Sequence, residues 1–245
     1  MRALILAAGL GSRLQHKTAS IPKAMVSVNR MPIISHQIKA LIENNIYEVA
    51  VVLGYKANIL KEYLLKNHSN IKFSFFLNRH YKKSNSAYSF FIGSDYIKDE
   101  QYIHLNCDIL FSSELLRNII NSDKDNVVAV NLNENVSDNM ELVNINDLNK
   151  IVFMENTLFK GAMGKAYGLA KFSSDSSNFI LNKIGMYHDA GDFNQNYYGI
   201  IRQALNNIDY YCQDCGELLL SEVNSLKDFD SFQKRFSILK NDEKI

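Results

Sequence analysis

Four apolar runs recur through the first half of the chain: RALILA at 2–7, EVAVVL at 48–53, IKFSFF at 71–76 and QYIHLN at 101–106. Between them, PIISHQIKALIENN (32–45) and ANILKEYLLKNH (57–68) place apolar residues three and four apart. Strand-like runs alternating with helical spacing predict βαβ units and a mostly parallel sheet. Pro32 suits a first helical turn, where its missing N–H costs nothing. ELLRNIINS (114–122) predicts another helix and NVVAVNL (126–132) another strand.

From about residue 133 to 172 the rhythm shortens. MELVNI, KIVFM and YGLAKF read as short β segments, separated by polar connectors at 133–139 and 156–164 where turn-forming residues concentrate. This predicts a small β excursion or lid on the main sheet, and not a second domain. Helical spacing returns in SNFILNKIGMY (177–187) and FNQNYYGIIRQALNN (193–207), IDYYCQ (208–213) and ELLLSEV (217–223) follow as a strand pair, and a last helix starts at Ser225. The expectation is one α/β domain over residues 1–245: a mostly parallel, mixed sheet flanked by helices, with a lid or acceptor-side subregion at about 133–172.

Composition narrows the partners. With 27 basic and 26 acidic residues the net charge is +1, and no block of one sign stands out, so neither nucleic acid nor a membrane surface is expected as a partner. The apolar stretch at the N-terminus is too short for a signal peptide or a membrane span, which predicts a cytoplasmic protein. Cys212 and Cys215 form a CxxC, but a zinc site needs four ligands and no second Cys or His pair at matching spacing exists in the chain. The pair reads as structural.

The stretch LILAAGLGSRL (4–14) carries the first chemistry. A strand ending in Gly-x-Gly presents backbone N–H groups where no Cβ blocks a phosphate. A dinucleotide fingerprint needs a third glycine where Leu14 stands, and a P-loop needs Gly-Lys-Ser/Thr, which is absent. What remains is Gly9, Gly11, Ser12 and Arg13, followed by Pro22 and Lys23. A rigid guanidinium suits a polyphosphate tail, and a lysine can neutralise a phosphoryl group as it changes partners.

Ala7-Ala8-Gly9-Leu10-Gly11-Ser12-Arg13-Leu14 followed by Pro22-Lys23 resembles the opening pattern of the nucleotidyltransferases, the superfamily of MobA-like and sugar-phosphate nucleotidyltransferases. The resemblance implies a Rossmann-like fold of the nucleotide-diphospho-sugar transferase type. It implies that Leu6, Ala7, Ala8, Gly9, Gly11, Ser12 and Arg13 wrap a nucleoside triphosphate, and that Lys23 steadies the α-phosphate. Joining two anions requires a divalent cation, and Mg2+ takes few protein ligands. Asp108, after the strand in YIHLNCDILF, occupies the family's metal position, although an Asx turn would also place an aspartate there. LLLSEVNSLKDFDSF resembles the C-terminal pattern of phosphocholine and related cytidylyltransferases, with Asn224 at the second ligand position. Asn224 also reads as a helix N-cap, and Ser225-x-x-Asp228 as a capping box.

NRHYKKSNSAYSFFIGSDYI resembles the Asn-x-x-Ser-Leu stretch of cytidylyltransferases acting on phosphocholine, aminoethylphosphonate or inositol phosphate. It implies that Asn85, Ser86 and Ser89 face cytosine and ribose, and these three also read as the start of a helix; Asn106, beside Asp108, is a further nucleotide-binding candidate. Tyr167, Tyr187, Asp189, Asp192, Tyr197, Tyr198 and Glu222 could line an acceptor pocket, and equally describe surface loops and helix faces. The resemblance thus implies a Mg2+-dependent cytidylyltransferase using CTP and a small phosphorylated acceptor, with a monomer or homodimer expected. The rival readings are a sugar-1-phosphate nucleotidyltransferase using another NTP, and a regulatory relative that binds nucleotide without turnover.

Overall fold

In the computed structural model, which describes residues 1–232, the first apolar run forms β1 (Arg2–Ala7), buried at every position after Arg2. A strand buried on both faces needs cover on each side, and this chain supplies helices to both. A short hairpin, β2 (Ser27–Val28) and β3 (Met31–Pro32), leads into α1 (Ile33–Glu43). Then come β4 (Glu48–Leu53), α2 (Ala57–Asn67), β5 (Lys72–Leu77), α3 (Ser86–Gly93), β6 (Tyr102–Asn106), β7 (Ile109–Phe111), α4 (Ser113–Asn121) and β8 (Val127–Asn131). The second half adds β9 (Leu142–Ile145), β10 (Ile151–Glu155), β11 (Gly164–Phe172), α5 (Ser174–Asp189), α6 (Tyr197–Ala204), β12 (Tyr211–Asp214) and β13 (Leu220–Glu222). Residues 226–232 are helical, so the last helix starts at Leu226, and its expected continuation lies outside the described residues.

Among the described residues, nine strands share one sheet. β6, β1, β4 and β5 are parallel neighbours. β11 runs antiparallel to β6, β8 and β9, and β10 antiparallel to β9, while β12 is parallel to β8. Only β10 and β11 therefore oppose the common direction, and the sheet is mixed and mostly parallel, as expected. The segment YGLAKF lies in β11, inside this sheet. β8 follows one edge of β11; β9 and β6 share the other, β9 beside Gly164 and Lys165 and β6 beside Leu169 to Phe172. The β9–β10 hairpin thus stands beyond the C-terminal end of β6.

IDYYCQ and ELLLSEV do not pair with each other. β12 extends the main sheet, with Cys212 opposite Val128, and β13 pairs antiparallel with β7 in a separate two-stranded sheet. β8 and β7 each offered an open edge, and unpaired backbone groups need partners. Helix α5 is longer than expected because Ser173 caps it, its hydroxyl accepting from Ser176 N–H.

Two cores cover the two faces of the sheet. Ile38 of α1, Leu60 of α2 and Leu116 of α4 pack on one, and Phe90 of α3, Ile180 of α5 and Ile200 of α6 on the other. A third, smaller core joins Leu14, Val26 and Val28 to Val223, Phe229 and Phe232, stitching the start of the chain to its C-terminal part.

Candidate active site

At the C-terminal end of β1 the chain leaves the sheet through Ala8. The Ala8 carbonyl accepts from Tyr55 N–H, and the Gly11 carbonyl accepts from Leu14 N–H and the Thr18 hydroxyl. The carbonyls of Ala8 and Gly11 are thereby turned toward protein, while the N–H groups of Gly9, Leu10, Gly11 and Ser12 have no acceptor among the described residues. Gly11 sits at φ 66°, and a Cβ there would lie 3.0 Å from that of Lys23, so the turn and the close approach both call for glycine.

Lys23 follows Pro22 on a single 3-10 turn and is buried. Its ammonium donates to Asp108 Oδ2 at 2.5 Å and to Asn224 Oδ1 at 2.8 Å. Arg13 Nη2 donates to the same Asn224 oxygen at 3.0 Å. Four residues from three distant parts of the sequence thus converge. The two readings of Asn224 separate here: Ser225 and Asp228 form the capping box between themselves, Ser225 Oγ accepting from Asp228 N–H and the Asp228 carboxylate accepting from Ser225 N–H. Asn224 donates only its backbone N–H to that carboxylate, which leaves its side chain to the site.

Asp108 Oδ1 is buried and has no hydrogen-bond partner. An orphaned carboxylate oxygen beside the Asn224 amide oxygen fits a hard divalent cation that takes its remaining ligands from phosphate and water. No group of three or more Asp, Glu, His or Cys side chains could hold a metal among the described residues. The donor set therefore fits a cation shared with a substrate better than a closed structural site.

These groups open into a cavity of about 470 Å³. Leu6, Ala8, Gly9, Gly11, Ser12, Arg13, Lys23, Asn85, Ser86, Ser89, Asn106, Asp108, Tyr198, Glu222 and Asn224 all line it. Asn85 caps α3; Ser86 Oγ accepts from Tyr197 N–H, and Ser89 Oγ from Asn78 Nδ2, so each hydroxyl keeps its own proton to donate. Asn106 fits only because residue 168 is glycine: a Cβ there would fall 2.3 Å from Asn106 Cγ. His104 Nε2 donates to Asn106 Oδ1 at 3.3 Å, and its fully buried ring stacks on Tyr197 with centroids 4.4 Å apart. Burial pulls the His104 pKa down to about 4, so the ring is neutral.

Five of the expected residues lie elsewhere, among them Asp192, which accepts from Asn194 N–H and Gln195 Nε2 outside the cavity lining. Ala7 is buried in the sheet core. Tyr167 is buried on β11, its hydroxyl donating to Glu134, and burial beside that carboxylate raises its pKa. Tyr187 and Asp189 sit at the C-terminal end of α5, where Tyr187 donates to Gln203, and neither lines the cavity. Ile180 and Ile184 seat α5 on the face of the sheet, and Tyr187 and Asp189 at its end are not among the residues that line the cavity.

Sequence reasoning missed Asn78, Glu141 and Lys165, all of which line the cavity. Lys165 pairs with Glu222 at 2.9 Å, and Glu141 is gripped by Arg202 through two nitrogens at 3.0 and 3.3 Å. Burial raises the Glu141 pKa against the pull of Arg202. The signal was a charged residue inside a strand-like run, visible at Lys165 but without a partner until the chain folds.

A parallel-strand end carrying a free-amide loop, two cations and an orphaned carboxylate defines a nucleotide-handling α/β enzyme. Residues 2–141 match the Nucleotidyl transferase family, and the chain belongs to it. It is 26% identical over 246 residues to a choline-phosphate cytidylyltransferase of Streptococcus pneumoniae, covering 99% of this chain and all of the relative. It is 37% identical over 135 residues to a CTP:phosphoglutamine cytidylyltransferase of Campylobacter jejuni, where the match spans about half of each chain (53% of this one, 52% of the relative). The fold superposes on the CTP:phosphocholine cytidylyltransferase of Streptococcus pneumoniae with a TM-score of 0.77 at 20% identity, over 96% of this chain and 98% of that one. For the inositol-1-phosphate CTP transferase of T. maritima the TM-score is 0.80 at 19% identity, over 95% of each chain.

Proposed function

We propose that this nucleotidyltransferase moves CMP from CTP to a small phosphorylated or phosphonate acceptor. The observation that carries the proposal is the convergence of Lys23, Arg13, Asp108 and Asn224 under a loop of free backbone amides. Cytidylyltransferases among its relatives support the choice of base.

In this reading an acceptor oxygen attacks the α-phosphorus of CTP. The new P–O bond forms as the bond to the β-phosphate breaks, and pyrophosphate leaves with the electron pair. The acceptor is already an anion at neutral pH, so no general base is needed. Lys23 shifts from Asp108 toward the α-phosphate and neutralises charge there, and Arg13 with the amides of Gly9 to Ser12 holds the departing pyrophosphate. Asn85, Ser86, Ser89 and Asn106 orient the base and ribose. Asp108 and Asn224 would hold Mg2+, which when bound supplies further charge neutralisation on the phosphates.

The chain works as one unit on small molecules, with the β9–β10 hairpin as the rim on the acceptor side. No described helix is long and apolar enough to cross a membrane, and the balanced charge favours neither nucleic acid nor membrane partners, consistent with a cytoplasmic enzyme acting as a monomer or homodimer.

The test is pyrophosphate release with Mg2+, each NTP in turn, and a panel of phosphocholine, aminoethylphosphonate, O-phosphoserine and sugar 1-phosphates. Release with CTP and a non-sugar acceptor supports the proposal. Faster release with another NTP and a sugar 1-phosphate overturns it.

A further inference from the structure

The cavity has two ends. The loop at 8–13 and the N-terminus of α3 stand at the end nearer β1 and β5; the far end is built where β9 meets the start of β11, from Met140, Glu141, Lys165 and Glu222. The nucleotide loop belongs to the first end, so the acceptor's distal group belongs to the second.

That second end is a wall of mixed charge. Lys165 and Glu222 pair at 2.9 Å, yet their side chains stay 14% and 20% exposed in the cavity. Lys165 spends one of its three N–H donors on Glu222 and lies over the Tyr167 ring at 4.3 Å. Glu222 uses Oε2 in this pair and keeps Oε1. Glu141 adds no free charge, because Arg202 occupies both of its oxygens.

The aromatic side chains at this end are largely committed to the protein. Tyr197 and Tyr198 are buried, and the Tyr198 hydroxyl is donated to the Tyr167 carbonyl. The Tyr167 ring is covered by Lys165. Tyr197 and Tyr198 line the cavity but are only 1% and 5% exposed, which leaves little ring face for a quaternary ammonium, and such a group has no N–H for Glu222 to accept. A lysine and a glutamate side by side, each with spare hydrogen-bonding capacity, complement an ammonium and a carboxylate carried on one small molecule.

We propose that the acceptor is zwitterionic beyond its phosphate: an amino-acid-like head whose carboxylate is received by Lys165 and whose primary ammonium by Glu222. This deepens the cytidylyltransferase reading and rests on it. The Lys165–Glu222 pair opens to admit the head, each side chain exchanging its partner for the ligand's opposite charge.

The experiment compares O-phosphoserine, phosphoethanolamine, phosphoglycolate and phosphocholine, which differ in carrying both head charges, the ammonium alone, the carboxylate alone or a quaternary ammonium. Two readouts are taken: kcat/KM with CTP and Mg2+, and binding by calorimetry to the protein loaded with CMP. O-phosphoserine is expected to exceed the other three in both. In Lys165→Met the ratio of O-phosphoserine to phosphoethanolamine falls about tenfold or more, and in Glu222→Gln the ratio of O-phosphoserine to phosphoglycolate falls similarly. A preference for phosphocholine, or equal losses across the panel in either variant, overturns the zwitterion assignment. Turnover failing with CTP while the binding preferences and their losses persist would overturn the cytidylyltransferase reading and keep the assignment; no O-phosphoserine preference in either readout overturns the assignment.

Discussion

Gly168 is the place to test whether the floor of the cavity is built for Asn106. Replacing it with alanine puts a methyl group 2.3 Å from Asn106 Cγ and Nδ2 and 2.5 Å from its Cβ. Carbon atoms prefer about 3.5–4.0 Å, so the side chain must retreat by about 1 Å. Rotation about χ1 clears Cγ and Nδ2 but cannot move Cβ, which follows a backbone held by Gln37 Nε2 on the Asn106 carbonyl at 2.7 Å. The cost has two parts: about 1–3 kcal/mol of overpacking, and about 1–3 kcal/mol if the swing takes Asn106 Oδ1 from His104, whose Nδ1 is already buried without a partner. Urea unfolding of Gly168→Ala, Asn106→Gly and the double variant measures it as a cycle. The alanine should cost about 2–6 kcal/mol in the parent and at least about 1 kcal/mol less in the Asn106→Gly background, with kcat/KM for CTP falling in the Gly168→Ala single variant. The same cost in both backgrounds would refute the idea that glycine is there to make room for Asn106.

Lys23→Ala should lower kcat about a hundredfold or more with far-UV circular dichroism unchanged; near-parent pyrophosphate release would remove Lys23 from the transition state. Asn224→Asp exchanges an amide for a stronger metal ligand and should reduce the Mg2+ concentration for half-maximal rate several-fold, checked by Mg2+ titration. His104 is neutral when folded, with a pKa of about 4 against 6.5 in the open chain, so below 6.5 the unfolded state binds the extra proton. Its contribution is complete above pH 6.5 and is lost as pH falls toward 4, about 3 kcal/mol in all; urea unfolding from about pH 7 to pH 4.5 should show this slope in the parent and less of it in His104→Phe.

The parts of the site that could be read from the sequence are those whose chemistry is contiguous. Gly9 to Arg13 and Lys23 lie within one strand-loop segment, and Asp108 directly follows a strand, so local pattern and position were enough. Asn224 needed coordinates, because only the geometry of Ser225 and Asp228 shows which residue caps the helix. Lys165 and Glu222 are far apart in sequence and meet only because β11 and β13 end at the same cavity. The same cause hides the placement of Tyr187 and Asp189: a dense run of tyrosines and aspartates says nothing about which of them line the cavity. In the fold, long buried strands and amphipathic helices were legible, whereas the three-residue strands β7 and β13 exist by pairing with each other and carry no periodicity of their own.

The third core has a kinetic meaning. Asn224 is held in place by a strap whose apolar anchorage is Val223, Phe229 and Phe232 against Leu14, Val26 and Val28, apart from the two cores that secure the sheet. A small cluster with its own boundary opens at a lower free energy than the whole molecule. Release of the strap would carry Asn224 away from Lys23 and Arg13 while every strand of the main sheet stayed paired. Amide hydrogens around Val223 to Phe229 should then exchange by a subglobal route, faster than those of β1, and nucleotide that bridges loop and strap should slow that exchange selectively. An opening of this kind would separate Asn224 from Lys23 and Arg13 at no cost to the pairing of the main sheet.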